Sequence, residues 1–195
     1  MPRFADHDQR RAEVVAAATT VVRDEGRSAL TVRRVAKSVG CSTKVVTHYF
    51  ANMSDLLHAT WLASLRRGTK RFIAVLKADP SDLRGFMAAG LPLDDERRLD
   101  WSIWIAFWTE AHTSEQFGQD LRARSMDTYD RLVEILDQIG RRGGLPDGIN
   151  VPETAKRLNA LLTGISCQAM FNPAVWTPEE QLAAVDSEIA AIGIR

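Results

Sequence analysis

The chain has 195 residues, 45% of them apolar, and its 25 basic and 25 acidic side chains cancel to a formal charge of zero. That apolar content is ample for a buried core, while Arg, Asp or Glu breaks every apolar stretch before it reaches the length of a membrane span. The first residues, MPRFADHDQRR, lack the apolar segment of a signal peptide, and the two cysteines, Cys41 and Cys167, lie far apart; a cytoplasmic protein without a disulfide, cofactor or metal is expected.

Helical periodicity runs through almost the whole chain, with no alternating strand signal. Residues 8–25 place Val14, Val15, Ala18 and Val22 on one side. Thr31 can cap a short helix with Val32, Val35, Ala36 and Val39 facing inward, and Gly40 ends it where a left-handed backbone is favoured. Ser42 caps the next helix, which runs about one and a half turns to His48-Tyr49-Phe50 and is too short to fold alone. Ser54 with Asp55 opens a longer helix, 54–78, which repeats Leu57, Trp61, Leu65, Phe72 and Leu76 before Asp79-Pro80 stops it. Further helices are expected over 81–89, 95–113, 115–141, 152–171 and 178–192. The last opens on Thr177-Pro178, and the clearest loop is Arg142–Gly148. The expected fold is all-α with about nine helices. Residues 1–53 have the layout of a helix-turn-helix DNA-reading module, and residues 54–195 are expected to form a larger helical body.

Charge is distributed to match. From Gly26 to Ser54 there is no acidic residue, whereas Arg27, Arg33, Arg34, Lys37 and Lys44 all lie there. Residues 1–55 carry +3 and the remainder −3, so a small basic module sits on a slightly acidic body. Such a face is rewarded by counterion release on a phosphate backbone. A recognition helix sends its N-terminal side chains to base edges, which makes Thr43, Lys44, Thr47 and His48 the exposed candidates and turns Val46 and Phe50 inward. Lys44 is suited to guanine O6 and N7.

These segments resemble TetR-family transcriptional repressors. The likeness is carried by the helix ending at Glu25-Gly26, the T-V-x-x-V-A-x-x-V-G pattern of 31–40, the S-T-x-x-V-x-H-Y-F run of 42–50 and the N-x-S-D-L-L of 52–57. It implies that Arg33 also reaches a base, that Val45 touches a thymine methyl, and that Thr31 and Tyr49 hold phosphates; Thr31 also serves as a cap, and Tyr49 also has a packing role open to it. Many relatives have a lysine where this chain has Met53, which leaves the backbone N–H groups near Ser54 as the substitute phosphate contact.

In the body, Trp101, Trp104 and Trp108 share one helical face, with Glu110 and His112 close in sequence. Aromatic residues at this spacing serve as a core stripe or as a cage for a cation, with indole faces attracting the charge and Glu110 balancing it. The W-x-x-F-W arrangement of 104–108 resembles BetI-type TetR proteins, the choline-responsive repressors of glycine betaine synthesis, and so implies a quaternary ammonium effector. Trp61, Trp101, Trp104, Trp108, Glu110, His112 and Tyr129 are the candidate ligand residues.

The last two helices offer Leu158, Leu161, Leu162 and Ile165, and Leu182, Val185, Ile189 and Ile192. In TetR relatives such helices form a four-helix dimer interface, and Leu158, Leu162, Ile165, Leu182, Val185 and Ile189 are the candidates here; a hairpin packed on its own chain is the alternative. The chain is thus expected to be a homodimeric repressor of a pseudo-palindromic double-stranded operator, released by a small-molecule effector, with no membrane partner and no catalytic residues. Two other classes are a DNA-binding protein without a ligand and, remotely, an enzyme using Cys167 with His112 as nucleophile and base.

Overall fold

Most of the apolar faces in the sequence are preceded by a capping residue, and helix follows helix accordingly. The computed structural model describes residues 3–112 and 114–194, with side chains from residue 7 onward. Among these residues lie nine α-helices and no strand: α1 Arg3–Glu25, α2 Val32–Val39, α3 Thr43–Tyr49, α4 Met53–Ala78, α5 Leu83–Gly90, α6 Asp95–Ala111, α7 Glu115–Arg141, α8 Val151–Phe171 and α9 Pro178–Ile192. A 3-10 turn, Arg27–Ala29, precedes α2. The all-α expectation holds. Helix α1 begins at Arg3 rather than residue 8, because its first turns are polar and carry no periodic signal. The expected last residue of α6, Thr113, lies outside the described residues.

The caps explain where the helices start. Thr31 accepts the Arg34 N–H at 3.1 Å, Asp82 the Gly85 N–H at 2.7 Å, Asn150 the Glu153 N–H at 3.1 Å and Thr177 the Glu180 N–H at 3.3 Å. Each such cap is worth about 1 kcal/mol. Gly40 closes α2 at φ 73°, ψ 33°, a left-handed conformation that glycine adopts without penalty. Two expected caps are corrected. Ser42 stands at the N-cap position of α3 without a side-chain cap bond. Helix α4 is opened not by Ser54 but by Asn52, whose Oδ1 accepts the Asp55 N–H at 2.8 Å. Asp55 reaches back to accept the Ala51 N–H at 3.0 Å, a reciprocal arrangement of the capping-box kind.

The chain forms two compact units. The first takes residues up to Arg66 together with Leu99–Gly118, and so extends beyond residue 53 to include the first half of α4 and most of α6. Within it α1 packs on α2 and α2 on α3, with Val14, Ala18, Val22, Leu30, Val35, Ala36, Val46 and Phe50 all buried. The short α3 is held by this packing, since its own length cannot sustain it.

The second unit takes Arg67–Arg98 and the residues from Gln119 on. Its core joins Leu83, Phe86 and Met87 of α5, Leu132, Ile135, Leu136 and Ile139 of α7, Leu158, Leu162 and Ile165 of α8, and Val185 and Ile192 of α9. Burying each such side chain contributes about 1.5–3 kcal/mol. Forked hydrogen bonds of 2.5 and 3.0 Å from Arg84 to Asp186 tie α5 to α9 and hold the Asp186 carboxyl below its ordinary value. Arg157 and Glu188 tie α8 to α9 at 2.5 Å.

Candidate functional site

Helix α3 presents two different faces. Val46 points inward with no exposed surface, while Thr43, Lys44, Thr47 and His48 are exposed and Val45 and Tyr49 are half-buried. The Thr47 hydroxyl donates to the Thr43 carbonyl at 3.2 Å, which leaves its oxygen able to accept. On α2, the adjacent arginines separate. Arg34 is held by Glu25, whereas Arg33 is exposed and, like the Lys44 side chain, has no hydrogen-bond or ion-pair partner among the described residues. Neutralised by no carboxylate, Arg33 and Lys44 are the cations best placed to seek an anion elsewhere. Thr31 spends its oxygen on the cap but keeps a hydroxyl proton to donate.

A residue that periodicity did not reveal completes this surface. His7 of α1 lies edge-on to Tyr49, with ring centroids 4.7 Å apart, and Tyr49 in turn meets His48 at 5.0 Å. The first turns of α1 therefore abut the end of α3. Nothing in the polar run DHDQRR signals this, because the contact depends on how α1 crosses α3.

The second cluster also lies in the first unit. Trp61 is only 2% exposed and stacks on Phe107 at 4.1 Å with the planes 2° apart. Phe107 stacks on Phe117 at 4.6 Å, and His58 lies over Phe117 at 5.2 Å. Trp104 meets Trp61 at 5.7 Å, and Trp101 lies 6.3 Å from Trp104 and 6.2 Å from Trp108. The structure thus brings together Trp61, Trp101, Trp104 and Trp108, and adds His58, which shares a helical face with Trp61 on α4. Two indole donors in this cluster, Trp61 Nε1 and Trp108 Nε1, are buried without a partner among the described residues. Glu110 pairs with Arg27 at 2.7 Å, a contact between residues 83 positions apart. His112 is exposed at the end of α6. Tyr129 packs on the core of the second unit.

Four of the six expected interface residues are core residues of the chain itself: Leu158, Leu162, Ile165 and Val185 are at most 6% exposed, and Leu182 and Ile189 pack partly against them. Their apolar surface is covered before any partner arrives. Among the residues these two helices leave exposed are Ala160 and Gly164 on α8 and Ala183, Ser187 and Ala190 on α9, beside Lys156, Arg157, Gln168 and Asp186, with Phe171 ending α8 and Val175 beyond it. Phe171 is 75% exposed. Cys167 is half-buried, and burial pushes its thiol up, away from the thiolate that nucleophilic catalysis needs. Among the described residues no helix is long and apolar enough to cross a membrane.

Comparison with known proteins matches two stretches of the chain. Residues 14–60 match the family described as bacterial regulatory proteins, tetR family, and residues 80–193 match that described as BetI-type transcriptional repressor, C-terminal. The HTH-type transcriptional regulator BetI of Paraburkholderia xenovorans is 29% identical over 136 residues, which is 68% of this chain and 70% of that protein. A transcriptional regulator from Rhodococcus sp. Rha1 superposes with a TM-score of 0.81 at 27% identity, over 93% of this chain and 95% of that one. A regulator from Saccharomonospora viridis, solved in complex with choline, shares the fold with a TM-score of 0.80 at 18% identity, over 96% of this chain and 99% of that one. With α2 and α3 matched in the first part and α5 to α9 in the second, the chain belongs to the TetR family of DNA-binding transcription regulators, and its C-terminal part is of the BetI type.

Proposed function

We propose that this protein is a homodimeric repressor of a pseudo-palindromic operator that lets go when a small molecule fills its body. The observation that carries this is α3, a helix whose single buried side chain, Val46, leaves Thr43, Lys44, Thr47 and His48 turned outward. In this reading Lys44 and Arg33 address base edges, and Val45 offers an apolar contact to a thymine methyl. Thr31, Tyr49 and the N–H groups of Met53 and Ser54 hold phosphates. A two-fold dimer would set two such helices about 34 Å apart. Residues 1–53 act as the reading module, residues 54–195 as the responsive body, and the cytoplasm, where DNA is accessible, is the place of action. Helix α4 contributes to both units, so a ligand that favours one tilt of it changes operator affinity; coupling of about 1–3 kcal/mol corresponds to roughly 5- to 150-fold.

For the effector, the aromatic cluster supports a quaternary ammonium. Indole faces attract a cation, the two unpartnered indole N–H groups suit a ligand that also carries an oxygen acceptor, and choline is the ligand of one structural neighbour. His112 remains a candidate ligand residue, whereas Tyr129 belongs to the packing of the second unit's core.

The test is selection of fragments from the organism's own DNA by the purified protein, followed by titration with choline. A single selected sequence with two-fold symmetry is expected, released saturably by choline. Lys44→Ala should weaken it by about 1–3 kcal/mol while barely changing non-specific binding. A salt-dependent shift on every fragment alike would instead mark a DNA-binding protein without sequence preference.

A further inference from the structure

The second unit contains a groove of about 520 Å³ between α4, α5 and α7, a size suited to a small organic molecule. Its apolar wall is made by Phe72, Ile73 and Leu76 of α4 with Phe86 of α5. Ile73 is 47% exposed although it is a large apolar residue. Into the same groove α7 brings Arg124, whose guanidinium lies 5.4 Å over the ring of Phe72.

Arg124 is the unusual member. It is half-buried, and removal from water pulls its guanidinium below the ordinary arginine value, with Asp127 only partly opposing that. Arg131, two helical turns further along α7, is by contrast paired with Glu134 at 2.6 Å. No carboxylate pairs with Arg124 among the described residues. A desolvated cation without an anion is costly, and its planar fork of donors matches a carboxylate. The remaining charges define the ligand further. Besides the Arg131–Glu134 pair, these are the exposed carboxylates of Asp127 and Asp130 and the exposed ammonium of Lys77; two carboxylates against one lysine disfavour a dianion such as a phosphate ester, and Arg124 itself repels a quaternary ammonium.

We propose that this groove binds an organic monocarboxylate with an apolar body, its carboxylate on Arg124 and its body across Phe72, Leu76 and Phe86. The site uses none of the tryptophans and takes the opposite charge from the aromatic cluster, so it is a second ligand site. As an effector site it rests on the reading of the chain as a ligand-responsive regulator.

The probes are 3-phenylpropionate and octanoate, with 3-phenylpropionamide as the neutral counterpart, titrated calorimetrically into the full chain. At least one acid should bind saturably, and the amide at least about tenfold more weakly than 3-phenylpropionate, as expected for a charge-assisted hydrogen bond. Arg124→Met should melt no lower than the wild type, because it removes a desolvated charge, and should lose the preference for the acid. Arg124→Gln provides the same comparison if the methionine variant does not fold. Equal binding of acid and amide, undiminished acid binding by the folded variant, or no binding of either acid would overturn the site. Such a failure with operator selection intact removes this groove alone, whereas saturable acid binding by a chain that selects no operator keeps the groove and removes the regulator.

Discussion

The Glu110 carboxylate, two residues past Trp108 and so turned away from the tryptophan face of α6, holds Arg27 at 2.7 Å. Arg27 begins the 3-10 turn that leads into α2, so the pair steadies the approach to the reading helices. With side chains 38% and 24% exposed, the pair should contribute no more than about 1 kcal/mol. Glu110→Gln is therefore expected to shift the melting temperature little but to weaken operator binding by roughly 2- to 5-fold. A double-mutant cycle with Arg27→Gln isolates the effect, and additive losses would show that the two residues do not act together.

At the scale of elements, α4 depends on its first turn. Asn52 and Asp55 satisfy the N–H groups that would otherwise be orphaned there, so Asn52→Ala should cost about 1 kcal/mol in thermal or denaturant unfolding. An unchanged midpoint would mean that water replaces the cap without loss. This motif was legible in the sequence as a helix start, but the sequence did not distinguish Ser54 from Asn52 as the cap, because both residue types serve and only the backbone decides which stands outside the helix. The same limit explains the rest. Helix faces at α2, α3, α7 and α9 could be read because burial repeats along one element. His7 against Tyr49, His58 over Phe117 and Glu110 with Arg27 could not, because each joins residues from different helices. The apolar faces of α8 and α9 were legible as faces, but not what covers them, and the chain's own α5 and α7 do so.

For the whole molecule, the proposed dimer must use what a single chain leaves uncovered. Ala160 and Gly164 on α8 and Ala183, Ser187 and Ala190 on α9 are exposed small residues of the kind that allow close helix approach, and Phe171 is an exposed apolar side chain. Gly164→Arg with Ala183→Arg should thus give folded monomers by light scattering, with helical circular dichroism retained and operator affinity sharply reduced. A persistent dimer would move the interface elsewhere. Leu162→Glu is expected to behave differently: with Leu162 only 6% exposed within one chain, a carboxylate there costs several kcal/mol and unfolds the protein rather than dividing it.

Helix α3 is fastened to its neighbours through Val46, while its outward residues contribute almost nothing to the core. Thr43, Lys44, Thr47 and His48 are therefore free to drift without threatening the fold. A duplicated copy of the gene could change this outward face in a few substitutions while the rest of the chain stays as it is, so a DNA-binding regulator of this build can be re-aimed one side chain at a time.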